Sequence, residues 1–139
     1  MMFHELAIGI AVNLMVMLVH VGATSGLFVF SDWFIPTSTK RPTHARHLAL
    51  LAIANAALLI AHMLEVGIWA IVFEKQGLVA EGQHAYFAAF ATYTTLGTGD
   101  ALQTPHTRLL EPMAAASGIL MFGWSTVIIL HILQRNTAR

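Results

Sequence analysis

Three apolar segments, each longer than the roughly 20 residues that an α-helix needs to cross a bilayer, constrain the fold of this chain. They cover residues 6–30, 48–73 and 109–133 of 139. Charged residues make up only 10% of the sequence, whereas a soluble domain carries about a quarter. The sequence therefore predicts an all-α protein whose three transmembrane helices lie in the lipid bilayer.

Composition also excludes several classes of function. The chain has no cysteine, which rules out thiol catalysis, disulfides and cysteine-based metal sites. Its formal net charge is zero, so it offers no basic surface for nucleic acid. The N-terminal residues lack the basic region of a signal peptide, and the first apolar segment is too long for one, so we expect that segment to be retained. We expect neither an enzymatic activity nor a bound cofactor.

A fourth apolar run is too short to cross the bilayer. A helix over residues 84–94 would be about 16 Å long, roughly half the hydrocarbon thickness. Thr-Leu-Gly-Thr-Gly-Asp follows it at residues 95–100. This length suits a re-entrant helix that enters the membrane and turns back at the glycines. Because non-helical backbone at membrane depth is tolerated only inside protein or beside water, we predict the working site here.

The glycines of this segment suit the coordination of a cation. A cation that crosses lipid must exchange its water shell for other oxygens, which a ring of backbone carbonyls can supply. Successive carbonyls point the same way only if alternate residues leave the usual L-residue conformations, and Gly97 and Gly99 do so at little steric cost. The Thr95 hydroxyl would add oxygens at the inner end, and the C-terminal end of the short helix would favour a cation. The alternative is an ordinary glycine-rich turn between helices.

Basic residues predict the orientation of the chain. On one side lie Lys40, Arg41, Arg46, Arg135 and Arg139; on the other lie Lys75 and Arg108. By the positive-inside rule, the 31–47 loop and the C-terminus are cytoplasmic, and the N-terminus is outside. The short helix would then enter from the outside. We expect a multi-pass protein of the cell inner (plasma) membrane.

The segment Thr94-Thr95-Leu96-Gly97-Thr98-Gly99-Asp100 resembles the selectivity filter of the potassium-channel superfamily, usually Thr-Val/Leu-Gly-Tyr/Phe-Gly-Asp. The family's order of outer helix, pore helix, filter and inner helix is similar to residues 48–73, 84–94, 95–100 and 109–133. Residues 118–126 also resemble the inner helix of small bacterial ion-channel proteins. Residues 48–139 would form this pore domain, and residues 1–47 an additional transmembrane helix with a basic cytoplasmic loop.

The resemblance implies a homotetramer, because one filter strand cannot enclose a path and the family closes its pore with four. It implies a cation channel that conducts K+, or Na+, through backbone carbonyls of the filter. The ion-coordinating positions would be Thr95, Leu96, Gly97 and Thr98, with Gly99 closing the outer end. Support behind the filter would come from Asp100, Thr94, Tyr93 and Phe87. No metal is implied beyond the permeant monovalent cation.

This sequence departs from the family pattern behind the filter. Thr98 stands where the family has an aromatic residue, and Ala88 where many members carry its aromatic partner. Ala91 stands where some members have a glutamate. Since carbonyl rings need fixed spacing to discriminate between ions, two alternatives follow: a weakly selective channel, or a channel-like protein that does not conduct.

Ionisable residues within the spans are candidates for gating or sensing. His62 and Glu65 lie three residues apart on one face of the second helix, and His20 lies at a similar depth in the first. A buried ionisable group is costly and is a functional candidate by default, although a His–Glu pair that satisfies itself is the structural alternative. Gly118 stands where the family often has a hinge glycine; close packing of small residues is the alternative there.

The histidines in the spans are also compatible with a different class of protein. His20 and His62 both lie in the middle of a span, where a membrane b-type cytochrome could use them as haem ligands. That reading leaves the turn at Gly97 and Gly99 unexplained.

Overall fold

The structure is a computed structural model that describes residues 2–34, 44–79, 82–97 and 109–137. These residues form four helices and no strand. They are α1 (Met2–Phe34), α2 (His44–Lys75), α3 (Gly82–Tyr93) and α4 (Leu110–Thr137). The all-helical prediction is confirmed. Helices α1, α2 and α4 are long and apolar enough to cross a membrane, as a multi-pass membrane protein requires.

The three long helices extend beyond the apolar segments that predicted them. Helix α1 has 33 residues and is therefore about 50 Å long, against a hydrocarbon thickness of about 30 Å. The apolar pattern marks the part of a helix that faces lipid, whereas backbone hydrogen bonding continues into polar residues at both ends. Helix α2, for example, begins at His44, before its apolar segment.

Helix α3 has 12 residues, so it is about 18 Å long and does not reach across a bilayer. It packs against α2 and α4, and α1 packs against the same two helices. Small side chains allow the close approach of α3, since Ala85, Ala88 and Ala89 are all buried in the core. The large buried side chains around them are Trp69, Phe73, Tyr93 and Leu110.

Helix α2 ends in a cap that needs glycine. The Leu78 N–H donates to the Phe73 carbonyl over 2.9 Å, and the Gly77 N–H donates to the Glu74 carbonyl over 3.0 Å. This is the hydrogen-bond pattern of a Schellman motif, in which the first residue beyond the helix is left-handed. Gly77 has a φ of 71° and adopts this conformation without strain. Leu78 is only 6% exposed, so its side chain completes the cap with an apolar contact.

Candidate functional site

Helix α3 ends in the same kind of cap, but a threonine rather than a glycine occupies the left-handed position. The Leu96 N–H donates to the Ala91 carbonyl over 2.8 Å, and the Thr95 N–H donates to the Thr92 carbonyl over 2.9 Å. Thr95 therefore occupies the left-handed position, with a φ of 65°. A positive φ in a β-branched residue is a genuine outlier, and such outliers cluster at functional sites.

The side chain after Thr95 is also unlike its counterpart at the end of α2. Leu96 is 81% exposed, whereas Leu78 is buried. Gly97 has a φ of 76° and is exposed as well. The cap at the end of α3 thus has neither the glycine nor the apolar contact that stabilises the cap of α2.

The other residues predicted to form or support the filter are of three kinds: some are hydrogen-bonded, some are exposed, and some lie outside the described residues. The Thr94 hydroxyl donates to the Phe90 carbonyl over 2.9 Å, so it is held against α3. Phe87 is 68% exposed within one chain, and its predicted support of the filter would need a neighbouring molecule. Thr98, Gly99 and Asp100 lie outside the described residues.

A buried group of polar side chains lies beside the C-terminal end of α3. We call it the polar cluster; its members are His20, His62, Glu65, Tyr93 and Ser125. The Glu65 carboxylate accepts hydrogen bonds from His20 Nδ1 over 2.7 Å and from the Tyr93 hydroxyl over 2.5 Å. His62 Nδ1 lies 3.2 Å from both Glu65 Oε2 and the Tyr93 oxygen. The cluster therefore joins α1, α2 and α3 through one carboxylate.

Ser125 closes the cluster from the fourth helix. Its Oγ lies 3.0 Å from His62 Nε2 and 3.2 Å from His20 Nε2. The rings of Phe122 and Trp124 cover the imidazoles, with centroids 4.6 Å from His62 and 6.1 Å from His20 respectively. Each member of the cluster is buried, so its polar atoms exchange hydrogen bonds with one another in a low-dielectric setting.

The sequence predicts only part of this cluster. The spacing of His62 and Glu65 predicts their pairing, and His20 is predicted to lie at a similar depth. Tyr93 is predicted to support the filter, and no role is predicted for Ser125. A serine in an apolar span at the depth of two histidines is a weak signal, because only the register between helices decides whether it faces them.

The geometry of the histidines bears on the haem alternative. Their ring centroids are 5.3 Å apart, and both nitrogens of each ring contact Glu65, Tyr93 or Ser125. The ring nitrogens that haem iron would bind thus lie within hydrogen-bond distance of protein groups, and the haem alternative stays a prediction.

Gly118 lies where α4 passes the end of α3. A Cβ built at this position would overlap the backbone carbonyl oxygen of Tyr93. The absence of a side chain therefore lets α4 approach Tyr93, the last residue of α3. This contact supports the packing role of Gly118.

Comparisons of the chain with protein-family models, with curated proteins and with solved structures find no match.

Proposed function

We propose that this protein is a homotetrameric cation channel that conducts monovalent cations, K+ foremost, through the backbone carbonyls of residues 95–99. The 31–47 loop and the C-terminus would lie in the cytoplasm, and the N-terminus outside the inner membrane. Two observations support it: the filter-like motif at residues 94–100 and the positive φ angles of Thr95 and Gly97.

The observation that carries the proposal is the strained and uncovered cap after α3. A turn that only ends a helix would have glycine at the left-handed position and would bury the leucine that follows. Gly77 and Leu78 do this at the end of α2. Instead, Thr95 is left-handed and Leu96 is exposed. Backbone of this kind at membrane depth must line water or be covered by protein. Further copies of the chain around a shared axis would supply both.

The placement of α3 agrees with this proposal. It is too short to span, it packs between two long helices, and its C-terminal end leads into the segment that would bind the ion. A helix C-terminus carries partial negative charge, which favours a cation beside it. The exposed apolar residues Ile119, Leu120 and Val127 on α4 are available for lipid or for neighbouring copies.

The direct test compares two glycines with matched backbones. Gly97 and Gly77 both have positive φ values, 76° and 71°, and a Cβ at either would meet nothing within 4 Å. Gly97→Ala and Gly77→Ala should therefore each lose about 1–2 kcal/mol of stability for a left-handed alanine. We expect Gly97→Ala to lose most of its K+ flux in liposomes and Gly77→Ala to keep it. Equal flux in both variants would contradict the carbonyl pathway.

Reversal potentials of the reconstituted protein separate the alternatives that Thr98 raises. A strongly K+-shifted reversal under opposing K+ and Na+ gradients supports a selective channel. A reversal near zero under equal opposing gradients would indicate weak selectivity. Well-formed tetramers that stay silent would indicate a channel-like protein that does not conduct.

A further inference from the structure

The hydrogen bonds of the polar cluster fix how many protons it holds. A carboxylate only accepts hydrogen bonds. His20 Nδ1, which lies 2.7 Å from Glu65 Oε1, must therefore carry a hydrogen. His62 Nδ1 carries one for the same reason, because the Tyr93 hydroxyl already donates its own hydrogen to Glu65.

The other side of each ring meets a single hydroxyl. Ser125 Oγ lies within hydrogen-bond distance of both Nε2 atoms, but a serine hydroxyl has only one hydrogen to donate. If both imidazoles were neutral, each Nε2 would be an acceptor, and one of them would face an oxygen lone pair. One additional proton removes this conflict. The protonated Nε2 then donates to Oγ, and Oγ donates to the other ring.

Charge balance leads to the same count. The ionised Glu65 with one imidazolium sums to zero, whereas Glu65 with two neutral imidazoles leaves one negative charge buried. An uncompensated buried charge is costly in a low-dielectric interior. The titratable groups that face the cluster are His20 on α1, His62 and Glu65 on α2, and Tyr93 on α3. The described residues of α4 in contact with it, Phe122, Trp124 and Ser125, are all uncharged.

We propose that the polar cluster is a binding site for a single proton, which His20 and His62 share through the Ser125 hydroxyl. When Ser125 Oγ accepts the hydrogen of one Nε2 and gives its own hydrogen to the other Nε2, the positive charge moves from one ring to the other and the net charge does not change. The proposal gives α1 a role, because α1 supplies one of the two rings. Loss of the proton would weaken the hydrogen bond that the hydroxyl of Tyr93, the last residue of α3, accepts from His62 Nδ1, because a neutral imidazole is a weaker donor than an imidazolium.

A consequence for the channel rests on the proposed function. Tyr93 directly precedes Thr94 and the left-handed Thr95, and its carbonyl packs against Gly118 of α4. A change in the hydrogen bonds of Tyr93 therefore acts on the start of the filter segment, and the ion flux becomes dependent on pH.

Nitrogen NMR of 15N-histidine-labelled protein in lipid tests the proton site without reference to conduction. A bare imidazole nitrogen and a protonated one have well-separated resonances. At neutral pH we expect His20 and His62 to lack a full bare-nitrogen signal at Nε2, and both rings to change together in one step as the pH rises. A full bare-nitrogen signal from both rings at neutral pH would overturn the proposal.

Two serine variants of α4 make the test specific. Ser125→Ala removes the shared hydroxyl, and we expect the joint step to be lost, while Ser125→Thr keeps a hydroxyl and should retain it. Ser117→Ala is the matched control, because Ser117 is also buried and its Oγ makes no hydrogen bond among the described residues. A joint step that survives in Ser125→Ala would contradict the shared proton.

Metal binding is the competing use of the same atoms. His20, His62 and Glu65 place one ligand atom each within 4.8 Å of one another, a group that could close around a divalent ion. ZnCl2 added at one equivalent should leave the His20 and His62 resonances unchanged. A stoichiometric shift of both would overturn the proton site in favour of a metal site.

Flux measurements then test the link to the filter. K+ flux in liposomes should change over the pH range of the joint NMR step in the wild type, in Ser117→Ala and in His4→Gln. The dependence should be lost in Ser125→Ala. Flux that ignores pH while the NMR step persists would contradict the link to Tyr93. An absence of flux at every pH would contradict the proposed function, and the NMR result would still decide the proton site.

Discussion

Glu65 is the residue on which most of the buried polar contacts depend. Its two oxygens accept hydrogen bonds from side chains of α1 and α3 and lie beside His62 of its own helix. A carboxylate in an apolar interior would be very costly without such partners. Glu65 therefore stabilises the fold by accepting hydrogen bonds from donors that would otherwise be buried and unpaired.

Replacing Glu65 by alanine should consequently destabilise the protein strongly. Glu65→Ala leaves the Nδ1–H groups of His20 and His62 and the Tyr93 hydroxyl without their acceptor, and we expect a loss of about 3–5 kcal/mol. Glu65→Gln keeps one acceptor oxygen and should lose less. Thermal unfolding in detergent micelles measures both. Glu74→Ala, at an exposed position of the same helix, is the control and should stay within about 0.5 kcal/mol of the wild type. A similar melting temperature for Glu65→Ala and Glu74→Ala would show that the polar cluster does not stabilise the fold.

At the level of elements, the contact between α3 and α4 is set by one missing side chain. Gly118 lies against the Tyr93 carbonyl, and nothing but the absence of Cβ permits that distance. Gly123, on the same helix, has open space around it. The two glycines therefore have different structural roles in one helix.

Alanine at these two positions should have opposite effects. Gly118→Ala must push α4 away from α3, and we expect it to lower the melting temperature and to disturb Tyr93. Gly123→Ala meets nothing and should stabilise α4 by up to about 1 kcal/mol through helix propensity. Thermal unfolding of both variants makes the comparison, and NMR of isotope-labelled tyrosine reports on Tyr93 separately from Tyr86. If Gly118→Ala melts no lower than Gly123→Ala, the close approach of α3 and α4 is not required for stability.

The existence of the helices could be predicted from the sequence, but their mutual register could not. Three apolar segments and one short run are enough to indicate α1, α2, α4 and α3. The spacing of His62 and Glu65 is local to one helix and was accessible for that reason. The contacts of His20, Tyr93 and Ser125 depend on how separate helices rotate and slide against each other, which no pattern within a single segment records. The left-handed conformation of Thr95 could not be predicted either, because glycine is the residue expected at a left-handed position.

At the level of the whole molecule, the single chain exposes large apolar side chains beyond those of the spanning helices. Phe87 on α3 is 68% exposed, close to the 72% of Val29 on α1. In the proposed tetramer they face different surroundings, since α3 lies near the shared axis and α1 outside the pore domain. Phe87 would contact a neighbouring copy, and Val29 would contact lipid.

Alanine variants of these two residues distinguish a tetramer from a monomer. We expect native mass spectrometry of the wild type to give a species of four 15.1 kDa chains. Phe87→Ala should shift the population toward smaller species, because it removes an apolar contact between copies. Val29→Ala should leave the distribution unchanged. A wild type that stays a single chain in mild detergent and in lipid would refute the assembly, and with it the enclosed pathway.

The length of α1 has a consequence for the membrane around the protein. An apolar helix of 32 residues from Met2 to Trp33 exceeds the hydrocarbon thickness, so it must tilt, thicken the bilayer locally or project from it. His20 is tied to Glu65 and cannot change depth independently of α2. Bilayers of different acyl-chain length would therefore apply different forces to α1. Because His20 contacts Glu65, a displacement of α1 would change the surroundings of the buried carboxylate as well as those of the helix ends.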